Sequence, residues 1–326
     1  MSTIIESLPG ILLPIAEVNR QLGRMWQPGK EGSGAPSEFR ASQMNLVLHF
    51  GMETTAGDAR DRFDEAILFS QRYPSRIIVL CPEKKTAEER FLEGKLFAQC
   101  YLGDTPRTMC CCEALMLGYP PNERGDLENQ VTIWLENDLP TCHWFHRVPS
   151  ERVRDHYLPF THGMRRILYD GSVEDEGYPE IPWEDPGRVR DLSAARILPA
   201  RQSIGQYLSG FDPAILAEGV RGLRLRHPPA LRGEARSLAG WMEECLRAAG
   251  AGPELESSLE AEDGAGQVLS GEWIVGDGGN RFSFRLDFEA SRGCLEAKFG
   301  RNEPEEWPFE VHLLGPRDTL SEAVFF

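Results

Sequence analysis

The sequence predicts an α/β N-terminal domain with a mixed, mainly parallel sheet flanked by helices, followed by a smaller α+β C-terminal domain with an antiparallel meander. Three observations carry this. Met44–Phe50 and Arg76–Cys81 are nearly continuous apolar runs, separated by the amphipathic stretch Asp58–Arg72. Strand, helix and strand in that order make a parallel pair with a right-handed crossover. Residues 171–190 then change to acidic, proline-rich composition. Finally, Phe282-Ser283-Phe284-Arg285-Leu286-Asp287-Phe288 alternates strictly, as a half-buried antiparallel strand does. The expected organisation is an N-terminal helix and loop (1–38), the α/β domain (39–172), a linker (173–190) and the α+β domain (191–326).

Ile11, Ile15, Val18, Leu22 and Met25 recur every three or four residues, which predicts one helix with Pro14 in its first turn. Gln27–Glu38 is a Gly/Pro/Ser loop. The helix over Asp58–Arg72 puts Ala59, Phe63, Ala66, Ile67 and Ser70 on one side and stops at Tyr73-Pro74. Lys95–Tyr101 and Thr108–Leu117 read as an antiparallel ribbon turned at Gly103–Pro106, and Leu127–Leu135 as a short helix. Asn137-Asp138-Leu139-Pro140 is an Asx-Pro turn feeding the strand Cys142–His146. Val153–Phe160 is helical, and Arg165–Asp170 is the closing strand of the domain. Beyond the linker, Ile204–Phe211 is helical, Gly219–His227 a strand and Arg236–Ala249 an amphipathic helix. Pro253–Gly266 reads as a second acidic loop, ahead of strands at Val268–Val275, 282–288, Cys294–Phe299 and Phe309–Leu314.

A formal net charge of −16 over 326 residues argues against nucleic acid, whose binding requires basic surface, and against anionic membranes. No apolar run is long enough to span a bilayer, and Glu6 with no basic leader argues against a secretory signal. Eight cysteines with no Cys-x-x-Cys spacing fit reduced thiols in a cytoplasmic protein. The chain has no Gly-x-Ser-x-Gly and no phosphate-loop motif, and Gly276–Asn280 reads as a hairpin turn. No cofactor or metal is expected, and the chain reads as a non-enzyme.

Trp144 and Phe145 point to opposite faces of their strand. Either both faces are covered, or one aromatic is presented to a partner. Arg221, Arg224, Arg226, His227 and Arg232 form the one dense basic patch, a solvated face or a docking surface for an acidic partner or a phosphate-bearing ligand. Trp144, Phe145, Arg224 and Arg226 are therefore the candidate partner-binding residues. Cys110, Cys111 and Cys112 are the candidate redox residues. Their alternatives are a metal site completed by Cys142, His143 and His146, or small buried hydrophobes.

Several blocks, in order, resemble the glucose-6-phosphate dehydrogenase assembly protein family, OpcA. Arg40–Val47 is similar to that family's Arg-x-x-x-x-Asn-Leu strand, and Tyr73–Leu80 resembles its His-Pro-Ser-Arg-x-x-Val strand. Asp138–Phe145 is similar to its Asp-Leu-Pro followed by a tryptophan-rich strand; Met164–Asp170 sits where its next strand falls, and Leu238-Ala239-Gly240-Trp241 matches its Leu-Ala-Gly-Trp helix. Two departures are Trp144-Phe145 in place of paired tryptophans, and Arg196–Arg201 where the family has aromatics and arginines. The resemblance implies a non-catalytic cytoplasmic protein that binds glucose-6-phosphate dehydrogenase and promotes its assembly or activity in the oxidative pentose phosphate pathway, linked in some lineages to redox state. The competing readings are an α/β enzyme or binding protein for a sugar phosphate or nucleotide, and a thiol-based redox sensor.

Overall fold

The computed structural model describes residues 3–25, 42–83, 92–101, 110–121, 124–262, 266–276, 280–299 and 303–326. The Gln27–Glu38 loop, the Gly103–Pro106 turn and the centre of the Gly276–Asn280 turn lie outside them. The chain divides into two compact units. The first comprises Met1–Tyr169, Val173–Arg190 and Leu320–Phe326, and the second Asp170–Ser172 and Asp191–Thr319.

The first unit is an α/β sandwich, with a mixed sheet of eight strands and helices on its faces. Its strands are β1 (Ile11–Pro14), β2 (Met44–Phe50), β3 (Ser75–Pro82), β4 (Glu93–Tyr101), β5 (Cys110–Tyr119), β6 (Thr141–His146), β7 (Arg166–Tyr169) and β8 (Val189–Asp191). Their spatial order is β1-β4-β5-β3-β2-β6-β7-β8. From β5 to β7 every neighbouring pair is parallel, while β1–β4 and β4–β5 are antiparallel. The helices are α1 (Ile4–Ser7), α2 (Ile15–Met25), α3 (Ala56–Arg72), α4 (Arg124–Trp134) and α5 (Ser150–Arg152), the last continued by a π turn at Val153–Tyr157 and a 3-10 turn at Leu158–Thr161.

Burial on both faces explains why β2 and β3 read as unbroken apolar runs. Val47, Ile78, Leu80, Leu115 and Phe145 form one core with Val18 and Leu22 of α2 and with Leu127, Val131 and Trp134 of α4. The alternate residues Leu46, Leu48, Ile77 and Val79 are equally buried on the opposite face, where α3 packs on β2 and β5. The Tyr-Pro-Ser-Arg block starts β3 and holds a buried ion pair. Arg76 Nε lies 2.6 Å from Glu113 and its Nη2 2.6 Å from Glu136.

Two expectations change in this unit. Ile11–Pro14 is not the first turn of a helix but an edge strand antiparallel to β4, and the helix begins at Ile15. Proline has no N–H to donate, which an edge strand tolerates. Residues 173–190, linker in composition, are folded into the unit. Tyr178, Ile181 and Trp183 enter the same core as Phe145, and the Tyr178 hydroxyl donates to the Val148 carbonyl at 2.6 Å.

The second unit is α+β, with a six-stranded sheet ordered β10-β9-β11-β12-β13-β14, in which β9 is Val220–His227, β10 Glu256–Ala261, β11 Val268–Val275, β12 Arg281–Asp287, β13 Arg292–Lys298 and β14 Glu305–Glu310. Strands β11 to β14 form the expected antiparallel meander. The helices are α6 (Leu192–Arg196), α7 (Leu198–Leu208), α8 (Pro213–Ala217), α9 (Arg232–Ala248) and α10 (Pro316–Phe325), whose last turns belong to the first unit. Leu238, Ala239, Met242 and Leu246 of α9 face Leu223, Leu225, Leu269, Phe284 and Leu295 of the sheet. The stretch read as an acidic loop contains β10, paired in parallel with β9 and exposed at every residue. A strand with neither face buried carries no apolar alternation to betray it. Among the described residues, no helix is long and apolar enough to cross a membrane.

Candidate functional site

In an open parallel sheet, ligands bind where neighbouring connections leave in opposite directions, at the C-terminal ends of the strands. Here that point lies between β2 and β6, because the chain runs from β2 outward to β3 and β5 and then returns to β6 on the other side. The residues there are Gly51, Thr55 and Asp58 after β2, and His146 and Arg147 at the end of β6.

Thr55 caps α3, its hydroxyl accepting the Asp58 amide at 3.2 Å. Asp58 in the first turn gains from the helix dipole. Its carboxylate also accepts His146 Nε2–H at 2.9 Å and the Arg147 guanidinium. The His146 hydrogen bond, aided by Arg147, holds the Asp58 carboxyl well below the usual carboxylate range. Arg147 adopts a left-handed backbone, with φ of 56°, rare for a residue with a side chain. That turn aims its amide at Glu174, 2.6 Å away. Gly51 donates to the His146 carbonyl at 2.8 Å. Only glycine fits there, since a Cβ at position 51 would fall 1.5 Å from the Arg147 carbonyl oxygen.

The consequence is chemical. A helix N-terminus at this place in the fold receives phosphate in dinucleotide-binding proteins. Here Thr55 caps the helix, the Asp58 carboxylate stands in its first turn held by His146 and Arg147, and the two loops touch through their backbones. An incoming phosphate meets a fixed negative charge. Replacing Asp58 by alanine is expected to cost about 1.5–3 kcal/mol, the worth of hydrogen bonds to a charged group. Because the folded carboxyl titrates below its unfolded value, this contribution is fully present above about pH 4 and fades as the pH falls further. Urea denaturation at about pH 3 and about pH 7 checks it, since the wild-type advantage over the variant should shrink at the lower pH.

Behind this point lies a buried polar chain. His143 Nε2 and His49 Nδ1 are 3.2 Å apart, His49 Nε2 meets the Tyr119 hydroxyl at 2.8 Å, and Tyr119 meets the Tyr157 hydroxyl at 3.1 Å. Burial lowers both imidazoles, His143 to about 3, and raises the Tyr119 phenol. Both imidazoles are therefore neutral at physiological pH, and the chain pairs their facing nitrogens with each other and with Tyr119, leaving His143 Nδ1 without a partner among the described residues. His143 and His146, three apart on β6, face opposite sides as their spacing requires.

Trp144 and Phe145 are both wholly buried, so the presentation of either to a partner is corrected: both faces of β6 are covered. Phe145 packs against His143 and His49, at ring-centroid distances of 4.3 and 5.4 Å, and Trp144 against His146 at 6.3 Å. Arg224 and Arg226 share the outer face of β9 but are not free cations. Arg224 pairs with Glu260 and Glu272, both at 3.2 Å, and Arg226 with the same two carboxylates at 3.1 and 3.3 Å. These two arginines of the basic patch are thus neutralised by carboxylates of β10 and β11. Cys112 is buried on β5, while the side chains of Cys110 and Cys111 lie outside the described residues. Cys100 of β4 stands in register opposite Cys111 and is disulfide-bonded. Among the described residues, no His, Cys, Asp and Glu cluster is arranged to hold a metal.

Sequence reading missed Asp58 and Arg147. The one local signal was Thr55-Ala56-Gly57-Asp58, a cap with an acid three residues on.

Residues 66–179 match the family model for the glucose-6-phosphate dehydrogenase subunit N-terminal domain, OpcA_G6PD_assem. Over that segment the chain is similar to the OpcA family. The match runs from the middle of α3 through β3 to β7 and ends at Pro179, so it includes His146, Arg147 and Glu174 but neither Asp58 nor the second unit. No curated protein matches the chain. Among solved structures, a super-repressor mutant of Gal80p from Saccharomyces cerevisiae is similar, with 9% identity and a TM-score of 0.34 over 86% of this chain and 82% of that one.

Proposed function

We propose that this chain is a non-catalytic, cytoplasmic accessory protein that binds glucose-6-phosphate dehydrogenase and promotes its assembly or activity in the oxidative pentose phosphate pathway. The observation that carries this reading is the similarity to the OpcA family over residues 66–179. The filled point between β2 and β6 supports it, because the fold's usual small-molecule position is given over to an internal Asp58–His146–Arg147 contact.

Such an effector works by binding the active or assembled state of the enzyme more tightly than the inactive one, a coupling typically of about 1–3 kcal/mol. With Trp144 and Phe145 in the core, Arg224 and Arg226 are the remaining partner-binding candidates. An acidic partner surface would have to exchange with Glu260 and Glu272, each exposed pair being worth about 0–1 kcal/mol, so the contact would be strongly salt-dependent.

The test mixes the purified chain with glucose-6-phosphate dehydrogenase of the same organism. Size-exclusion light scattering follows the complex while NADP reduction is assayed in parallel. Co-elution with a raised rate or a larger enzyme oligomer is expected. Separate elution at micromolar concentrations with an unchanged rate, under reducing and oxidising conditions alike, overturns the reading.

A further inference from the structure

The border of the first sheet gathers four arginines. The parallel register of β6 and β7 sets Arg166 beside Cys142, with Arg165 just ahead of it. Asp185 accepts the Gly187 amide at 2.9 Å and starts the 3-10 turn Pro186–Arg188. From that turn the Arg188 guanidinium reaches back to the Met164 carbonyl at 3.1 Å. Strand β8 then lies beside β7 as the outermost strand and carries Arg190. Arg165 and Arg188 are exposed, Arg166 and Arg190 half-buried, and all four belong to the first unit.

These charges are not balanced from within, although the chain as a whole carries −16. Among the described residues, the one carboxylate side chain paired with any of the four is Asp185, 2.9 Å from Arg188 in an exposed pair. Arg190 donates to the backbone oxygens of Gly187, Val189 and Phe326. Burial, and after it the charges of Arg190, Arg165 and Arg188, pull the Arg166 guanidinium below its usual value. Elsewhere the arginines are matched: Arg76, Arg196 and Arg224 each meet two carboxylates. Like charges held together oppose the compact state, and that repulsion ends when oxyanions lie among them. Guanidinium forks fit carboxylates in pairs of parallel hydrogen bonds. Small ligands take concave sites, whereas this cluster lies along an outer strand, so its occupant is an extended one.

We propose that Arg165, Arg166, Arg188 and Arg190 form the docking surface for an extended, carboxylate-rich segment of a partner protein. This names a contact surface for the accessory role and rests on that reading for the partner; the peptide measurement below needs no enzyme, so the two can fail separately.

Fluorescence anisotropy of labelled deca-glutamate, titrated with the full chain at low ionic strength, tests it, with deca-glutamine as the neutral counterpart. Deca-glutamate should bind saturably despite the chain's net negative charge, and more weakly as salt rises. Arg165→Gln with Arg166→Gln should weaken it about tenfold. Asp185→Asn keeps the acceptor that starts the turn and releases Arg188. It should tighten binding about two- to fivefold, the worth of one exposed ion pair, and a gain cannot come from misfolding. No saturable deca-glutamate binding to the wild type overturns the proposal, and inorganic tripolyphosphate binding in its place assigns the arginines to a phosphate ligand instead. Deca-glutamine binding as tightly, or an affinity that neither variant changes, overturns it too.

Discussion

Trp144→Ala is expected to lose about 3–5 kcal/mol of stability, the cost of deleting a fully buried large aromatic. Trp144 is 1% exposed on β6, opposite Leu48 of β2 and Leu168 of β7, so its removal opens a hole in the middle of the parallel sheet. The surrounding strands are fixed by backbone pairing on both sides and cannot collapse into that space. Trp144→Phe keeps most of the volume and sheds an indole N–H that has no partner among the described residues, so it should cost much less. Urea denaturation midpoints for the two variants check this. A Trp144→Ala protein as stable as wild type, but impaired in complex formation, would return this aromatic to the partner-facing role that its position at the strand tip first invited.

Arg196→Met should be the most damaging single change in the second unit, at about 3–5 kcal/mol. Arg196 closes α6 and reaches two carboxylates, Asp170 and Glu234, which are 5% and 1% exposed. Glu234 also accepts the Ser172 hydroxyl at 2.6 Å, and Asp170 accepts the Ser172 amide at 3.0 Å. Removing the guanidinium leaves two negative charges in a desolvated space without a cation. That is far costlier than never having buried the group, because replacing a whole buried ionic cluster by apolar residues is often neutral. The triple variant Arg196→Met, Asp170→Asn, Glu234→Gln should therefore recover much of the loss. Denaturation of all three forms decides it. If the single variant unfolds at the wild-type midpoint, the triad contributes nothing.

Much of the architecture was legible because burial writes a period into the sequence. The β2–α3–β3 unit showed as two apolar runs around a helical stripe, and the meander as the alternation of Phe282, Phe284 and Leu286. The failures have physical reasons. The spacing of Ile11, Ile15, Val18 and Leu22 fits a helix, but the pairing of Ile11 with Leu96 lies 85 residues away and leaves no local mark. Strand β10 owes its conformation to hydrogen bonds from β9, not to its own side chains. In residues 173–190 the many acids and prolines outnumber three anchors, Tyr178, Ile181 and Trp183, and composition averages those anchors away. The site was least legible of all, since Asp58 meets His146 across 88 residues and Arg196 joins residues 26 and 38 positions distant.

The two outer strands of the second sheet have a colloidal meaning. A strand at a sheet's border is a template on which another chain can grow, and nature blunts such borders with charge and proline. Here β10 presents Glu256 at one border, and β14 presents Glu305, Glu306, Pro308 and Glu310 at the other. Like charges on every copy make border-to-border stacking repulsive. The protection is electrostatic and therefore conditional, because it weakens as the solution approaches the isoelectric point near 5.0, where the copies no longer repel one another.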